Sequence, residues 1–170
     1  MAVVSVKLED VYRMHMNDIY RYLRRLTGDA GVAEDLTQDT FIRAFRFLDM
    51  KKNSLVRPWL FKVAYNAFID WYRKRKREGL TALSDEHLDT SVATQEPEHH
   101  LLDKEFWEKF EQVISIFPWK QKNALLMFYA HQLSYEEIAE VLDISLSDVR
   151  SAIYRGRQKL RANWRSEEHE

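Results

Sequence analysis

The 170-residue chain has no cysteine. That excludes a disulfide framework, a thiolate zinc site and a cysteine nucleophile, and it fits a reducing cytoplasm. Glycine and proline are scarce, with four and three residues, which argues against a turn-rich β-sandwich and favours long helices. No stretch approaches the roughly eighteen consecutive apolar residues of a membrane span. The opening MAVVSVKLED turns acidic before any apolar run is long enough for a secretion signal. Net charge is nearly absent as well: 26 basic against 27 acidic side chains leave −1. A free-standing DNA binder usually carries enough positive charge to dominate its total, and this chain does not. A nucleophile elbow, a phosphate-cradling glycine loop and an HExxH pattern are all missing, so no enzyme, cofactor or metal is expected. His99 and His100 beside Asp103 invite a metal reading, but adjacent histidines in a tether rarely close a site.

What the chain does contain is enough apolar surface for a core, 45% hydrophobic and 13% aromatic. Leu8, Val11, Tyr12, Ile19, Tyr20, Leu23 and Leu26 recur at helical spacing, and TGDAG at 27–31 interrupts them. Ala33, Leu36, Phe41, Ala44, Phe45 and Leu48 mark a second helix, closed by KKNS. Pro58 suits the first turn of a third, whose stripe is Leu60, Val63, Ala64, Ala67, Phe68 and Trp71 before RKRKR at 73–77. From Gly79 to Leu102 there is no Lys or Arg, while Asp85, Glu86, Asp89, Glu96 and Glu98 are acidic and periodicity is lost. Helical spacing resumes at Leu102, Phe106, Phe110, Val113 and Ile114. The expectation is an all-α chain of two small helical domains, 5–78 and 102–165, joined by a flexible acidic linker at 79–101.

The second domain carries the most specific pattern. Ser134 followed by Glu137 is a capping box opening YEEIAEVL. Ile138, Val141 and Leu142 give that helix an apolar face, and Ala139 is small enough for a close crossing. Asp143, Ile144 and Ser145 make a short turn, and Ser147 is placed to cap the next helix, with Asp148 in its first turn. Val149, Ile153 and Leu160 then face inward, leaving Arg150, Ser151, Tyr154, Arg155 and Arg157 outside. This is the layout of a helix-turn-helix, whose second helix reads base edges in the major groove; a solvated basic helix is the plainer alternative. Gly156 looks like a blemish, costing about 0.8–1 kcal/mol relative to alanine.

In the first domain, Trp71 and Tyr72 adjoin five basic residues, chemistry suited to unpaired bases and their phosphates. Trp71 reads equally well as core, whereas Tyr72 and the basic run favour nucleic acid. Glu34, Asp35, Gln38 and Asp39 form an acidic ridge backed by Leu36, Phe41 and Phe45. It would repel DNA, so it marks either a protein partner or a plain solvated face.

Three motifs in order, AEDLTQDTFIRAF, RPWLFKVAYNAFIDWYRKRKR and LSYEEIAEVLDISLSDVRSAIYRGRQKLR, resemble the bacterial sigma factors of the extracytoplasmic-function group (group IV), two-domain members of the primary sigma family. The resemblance covers residues 8–78 and 102–163. It implies that Asp35, Leu36, Gln38, Asp39 and Phe41 dock on the clamp helices of the RNA polymerase β′ subunit, with the β flap as a second contact. It implies that Asn66, Asp70, Trp71, Arg73 and Lys74, with Tyr72 and Arg77 in the same stretch, engage the melted −10 element, and that the loop after Arg77 captures a flipped base. It implies that Arg150, Ser151, Tyr154 and Arg155 read the −35 element, with Ser147 and Arg157 flanking them. The family linker runs near the RNA exit path.

Three positions depart from the family pattern. Asp143 stands where glycine is common, Ala152 where a basic residue is common, removing a phosphate contact, and Gly156 where alanine is usual. The expected function is to direct core polymerase to promoters of stress-response genes, under an anti-sigma factor that is often membrane-anchored, in the cytoplasm. The rival is a helix-turn-helix regulator that binds a duplex operator without polymerase.

Overall fold

The computed structural model describes residues 7–47, 56–79 and 101–167, all of whose regular structure is helical. The chain divides into two compact units, one holding three helices and the other four. The linker expected at 79–101 falls, from 80 to 100, outside the described residues, as do Leu48, the KKNS break and the His99–His100 pair.

In the first unit, α1 spans Leu8–Thr27, α2 Ala30–Phe45 and α3 Val56–Arg77, and each packs on the other two. Helix α1 carries Glu9 and Asp10 in its first turn and Arg24 and Arg25 in its last, both favourable to the helix dipole. It stops at Gly28, whose φ of 69° lets its N–H close on the Arg24 carbonyl at 3.0 Å. Asp29 at once caps α2, its carboxylate accepting from the Val32 N–H at 3.0 Å. The TGDAG break is therefore a C-cap and an N-cap back to back. Two buried hydroxyls in α2 need partners, and both find them one turn back: Thr37 donates to the Ala33 carbonyl at 2.6 Å and Thr40 to that of Leu36 at 2.7 Å.

The core between the three helices holds Ile19, Tyr22, Leu23, Leu26, Phe41, Leu60, Phe61, Ala64 and Phe68. Each large apolar side chain removed from water there contributes about 1.5–3 kcal/mol. At its edge Arg57 forks onto Asp18, with Nε at 3.0 Å and Nη2 at 2.8 Å from one carboxylate oxygen, tying α3 to α1. His15 lies close by; burial first, and the Arg57 charge second, lower its pKa against an opposing pull from Asp18.

The second unit comprises α4, Leu101–Ile114; α5, Trp119–His131; α6, Tyr135–Leu142; and α7, Leu146–Glu167. Helix α7 packs on the other three, and α5 also on α6. Phe110, Leu125, Met127, Ile138, Val149 and Ile153 lie at the centre, fully out of solvent.

The crossing of α7 on α5 corrects one expectation. The buried small residues of α7 are Ala152 and Gly156, and Ala139 on α6 is half-buried. A Cβ on Gly156 would overlap Cδ2 of Leu125 and sit 2.8 Å from Cδ1, closer than real Cβ atoms come, with Cγ at 3.0 Å. Gly156 is thus the point of close approach between two helices, and alanine there would not fit without movement.

Candidate nucleic-acid interface

The motif at 134–161 folds as two helices joined by a three-residue turn. Ser134 accepts from the Glu137 N–H at 3.1 Å, as a capping box requires. Helix α6 ends at Asp143, which takes the left-handed conformation (φ 52°, ψ 51°), while the Ile144 N–H reaches back to the Ala139 carbonyl at 3.1 Å. The turn is therefore the one glycine would make, held by an aspartate at some conformational cost. The cap of α7 is Ser145, whose hydroxyl accepts from the Asp148 N–H at 3.0 Å. Ser147, expected in that role, is an exposed residue of the first turn.

Along α7, Val149, Ala152, Ile153, Gly156 and Leu160 face the core. Arg150, Ser151, Tyr154 and Arg155 occupy two successive turns of the opposite side, with Tyr154 64% exposed. Ala152 is 1% exposed. The position therefore lies on the core side of α7, away from the face that carries Arg150 and Arg155. Arg157 is exposed yet engaged: its guanidinium donates to the side chains of Tyr129 first and Tyr135 second, which raises its pKa above the usual value. Arg157 thus lies next to Tyr129 of α5 and Tyr135 of α6.

On α3, Asn66, Asp70, Arg73, Lys74 and Arg77 are all exposed. Four cations in the last turn also suit the negative end of the helix dipole, so part of that run is structural. Trp71 is half-buried, tilted against Phe68 at 5.8 Å, with the Arg75 guanidinium 5.0 Å over its ring. Tyr72 overturns an expectation. It is 4% exposed and stacks on Phe68 at 6.2 Å with planes 18° apart, a core residue whose face no base can reach. Asp70 is paired across helices: Arg43 Nη1 donates to it at 2.9 Å, and Arg43 Nη2 lies 3.0 Å from Asp39. Burial alone would lower the Arg43 pKa, but these bonds to Asp70 and Asp39 outweigh it and hold the pKa above its usual value.

The ridge on α2 also differs from expectation. Glu34, Asp35 and Gln38 are exposed and Asp39 partly so, but Leu36 and Phe41 are buried and offer no surface to a partner. The exposed apolar groups are instead Ile42, at 56%, and Phe45 and Phe47. Ile42 and Phe45 share the side of α2 that carries Asp35 and Gln38, at steps of three and four residues. Tyr12 of α1 meets Phe41 edge-on at 5.0 Å, and Phe41 meets Phe45 at 6.1 Å, extending the apolar strip. An acidic ridge beside exposed apolar side chains resembles a protein-binding surface more than a solvated face. Sequence reasoning missed Ile42 and Arg43; each is visible only as a three- or four-residue step from a ridge acid.

Among the described residues no group of three potential ligands gathers for a metal, and no helix is long and apolar enough to cross a membrane.

Comparison with known proteins fits these surfaces to two families. Residues 11–78 match Sigma-70 region 2, and residues 107–160 match Sigma-70, region 4. The chain is 38% identical to the ECF RNA polymerase sigma factor SigM of Bacillus subtilis over 157 residues, covering 91% of this chain and 93% of that protein. It is 34% identical to the RNA polymerase sigma factor YlaC of the same organism, covering 92% and 91%. Among solved structures it resembles the sigma factor RpoE of Bartonella quintana, crystallised with the anti-sigma factor NepR. The TM-score is 0.73 at 24% identity, over 91% of this chain and 94% of that one, a likeness of fold.

Proposed function

The chain belongs to the ECF RNA polymerase sigma factors, and from that premise we propose how its surfaces divide the work of starting transcription. It directs core RNA polymerase to promoters, and polymerase supplies all the catalysis. The α2 ridge of Asp35, Gln38 and Asp39, with Ile42 and Phe45 beside it, docks on the β′ clamp helices. The exposed side of α3, with Asn66, Trp71, Arg73, Lys74 and Arg77, takes the unpaired strand of the −10 element. Arg150, Ser151, Tyr154 and Arg155 enter the major groove at −35, with the second unit seated on the β flap. Residues 5–78 and 102–165 act as the two modules and 79–101 as the tether between them, the organisation of group IV within the primary sigma family.

The observation that carries this reading is the segregation of charge: two exposed basic faces on separate units, and one acidic-apolar face on the first. It accounts for a net charge of −1 in a DNA-directed protein. Energetics give the same answer. Opening about ten base-pair steps at about 1.4 kcal/mol each costs on the order of 14 kcal/mol, whereas a captured base returns about 1–3 kcal/mol. The chain alone cannot melt a promoter; mounted on polymerase it only has to select one. A cytoplasmic location follows from that role. We extend the proposal to control by an anti-sigma partner, membrane-anchored in many such systems, and to stress-response promoters.

Run-off transcription on genomic fragments with purified core polymerase tests the reading. Discrete transcripts that require the chain are expected. Their absence, together with a tight shift of duplex fragments by the chain alone, would replace it with a polymerase-independent regulator.

A further inference from the structure

Asn66, Asp70, Arg73 and Arg77 follow one another along α3 at steps of four, three and four residues, all exposed, and Asp70 is the one acid among them. A bare carboxylate there would oppose any phosphate backbone laid along that line. Asp70 is not bare, because Arg43 holds it at 2.9 Å while its other arm lies 3.0 Å from Asp39. The two carboxylates belong to different surfaces: Asp39 edges the acidic ridge of α2, and Asp70 precedes Arg73 and Arg77 on the exposed line of α3. One guanidinium thus sits between the face that meets protein and the face that meets DNA.

We propose that Arg43 is a positioning residue for single-stranded DNA: held from the rear by Asp39, it offsets the Asp70 charge so that no bare carboxylate stands beside Arg73 and Arg77 where the strand lies. The inference rests on reading α3 as the −10 face. It reassigns Asp70 from a base contact to a group that must be kept neutralised. Arg43 itself, 39% exposed in its side chain, stays within the near field of a phosphate beside Asp70. Exposed pairs of this kind add little to folding, so removal of the guanidinium is expected to act on DNA binding rather than on the fold.

The test separates charge from a mechanical tie between helices. The full-length chain, carrying Arg150→Ala and Arg155→Ala so that α7 does not mask the result, is titrated with fluorescein-labelled oligodeoxythymidylate at low salt. Fluorescence anisotropy reads the affinity. Arg43→Ala is expected to weaken binding about three- to tenfold, and Arg43→Lys to restore most of it. Adding Asp70→Asn to Arg43→Ala is expected to recover most of the loss, because the unpaired carboxylate beside Arg73 is gone and the one left, Asp39, lies on α2. A tie between helices would stay broken in that double variant. Affinity no better than Arg43→Ala alone, or an Arg43→Ala chain that binds like its parent, overturns the proposal. Thermal melting checks folding, and Arg43→Gln takes the place of Arg43→Ala if the latter unfolds. A parent chain that binds no strand also overturns it. The unsubstituted chain is assayed alongside by run-off with core polymerase. Strand binding without directed transcription would refute the functional reading while the anisotropy series still decides the role of Arg43.

Discussion

Replacing Gly156 by alanine adds one methyl group in the middle of a 22-residue helix. Helix propensity alone says the protein should gain about 0.8–1 kcal/mol. The packing says otherwise. The new Cβ would overlap Cδ2 of Leu125 and lie 2.8 Å and 3.0 Å from its Cδ1 and Cγ, and Leu125 is fully buried on α5. Leu125 has little room to turn, with Leu126 and Met127 buried beside it and Val149 and Ile153 buried across the crossing, so α7 must lift or the leucine must leave its rotamer. Overpacking of this size costs about 1–3 kcal/mol. Offset by the propensity gain, the expected result is a net loss of about 1 kcal/mol. Urea unfolding followed by circular dichroism reads it as an earlier midpoint for the second unit, with the first unit's transition unmoved. The control is a double-mutant cycle with Leu125→Ala. That substitution alone costs about 2–5 kcal/mol, but in its background Gly156→Ala should become stabilising, because the obstructing branch is gone. If Gly156→Ala stabilises the otherwise unchanged chain, the close approach is not a constraint and the reasoning fails.

Three further outcomes follow from the same geometry. Asp143→Gly should stabilise the second unit by about 0.5–1 kcal/mol, since it removes a side chain from the left-handed conformation; a lower urea midpoint would contradict this. Ser145→Ala should cost about 1 kcal/mol through loss of the α7 cap, while Ser147→Ala should stay within about 0.5 kcal/mol; the reverse order in thermal melts would move the cap back to Ser147. Ile42→Glu, at a site 56% exposed, should leave the melting temperature nearly unchanged yet weaken binding to core polymerase at least tenfold, about 1.4 kcal/mol or more. Unaltered affinity in a competition assay would detach that strip from the docking surface.

Helices and their ends were legible in the sequence where the signal is local. The TGDAG break, the Ser134 capping box and the stripe from Leu60 to Phe68 are all read from neighbours within four residues. Faces were less legible where adjacent residues compete for the core. Trp71 and Tyr72 lie about 100° apart on the helix and both touch Phe68, and only the packing of the whole unit makes Tyr72 the buried one. Ser145 and Ser147 can each accept from an N–H three residues on, and a two-residue ambiguity in a helix start is ordinary. Gly156 and Ala152 read as departures from a pattern because their reason is tertiary: Leu125 on another helix for the first, and the core for the second. Arg43 was silent for the same cause, since Asp70 is 27 residues away in sequence. On α2 the helical step placed the ridge with Leu36 and Phe41 behind it, yet it did not show that Ile42 and Phe45 lie exposed beside it.

Permanganate footprinting of a promoter fragment recovered by run-off, performed with the chain alone, with core polymerase alone and with both together, tests most directly whether selection and unwinding are divided between the two proteins. Reactive thymines around −10 are expected only when both are present, and Arg150→Ala should reduce their number of occupied promoters without changing which bases open. Thymines made reactive by the chain without polymerase would contradict the division.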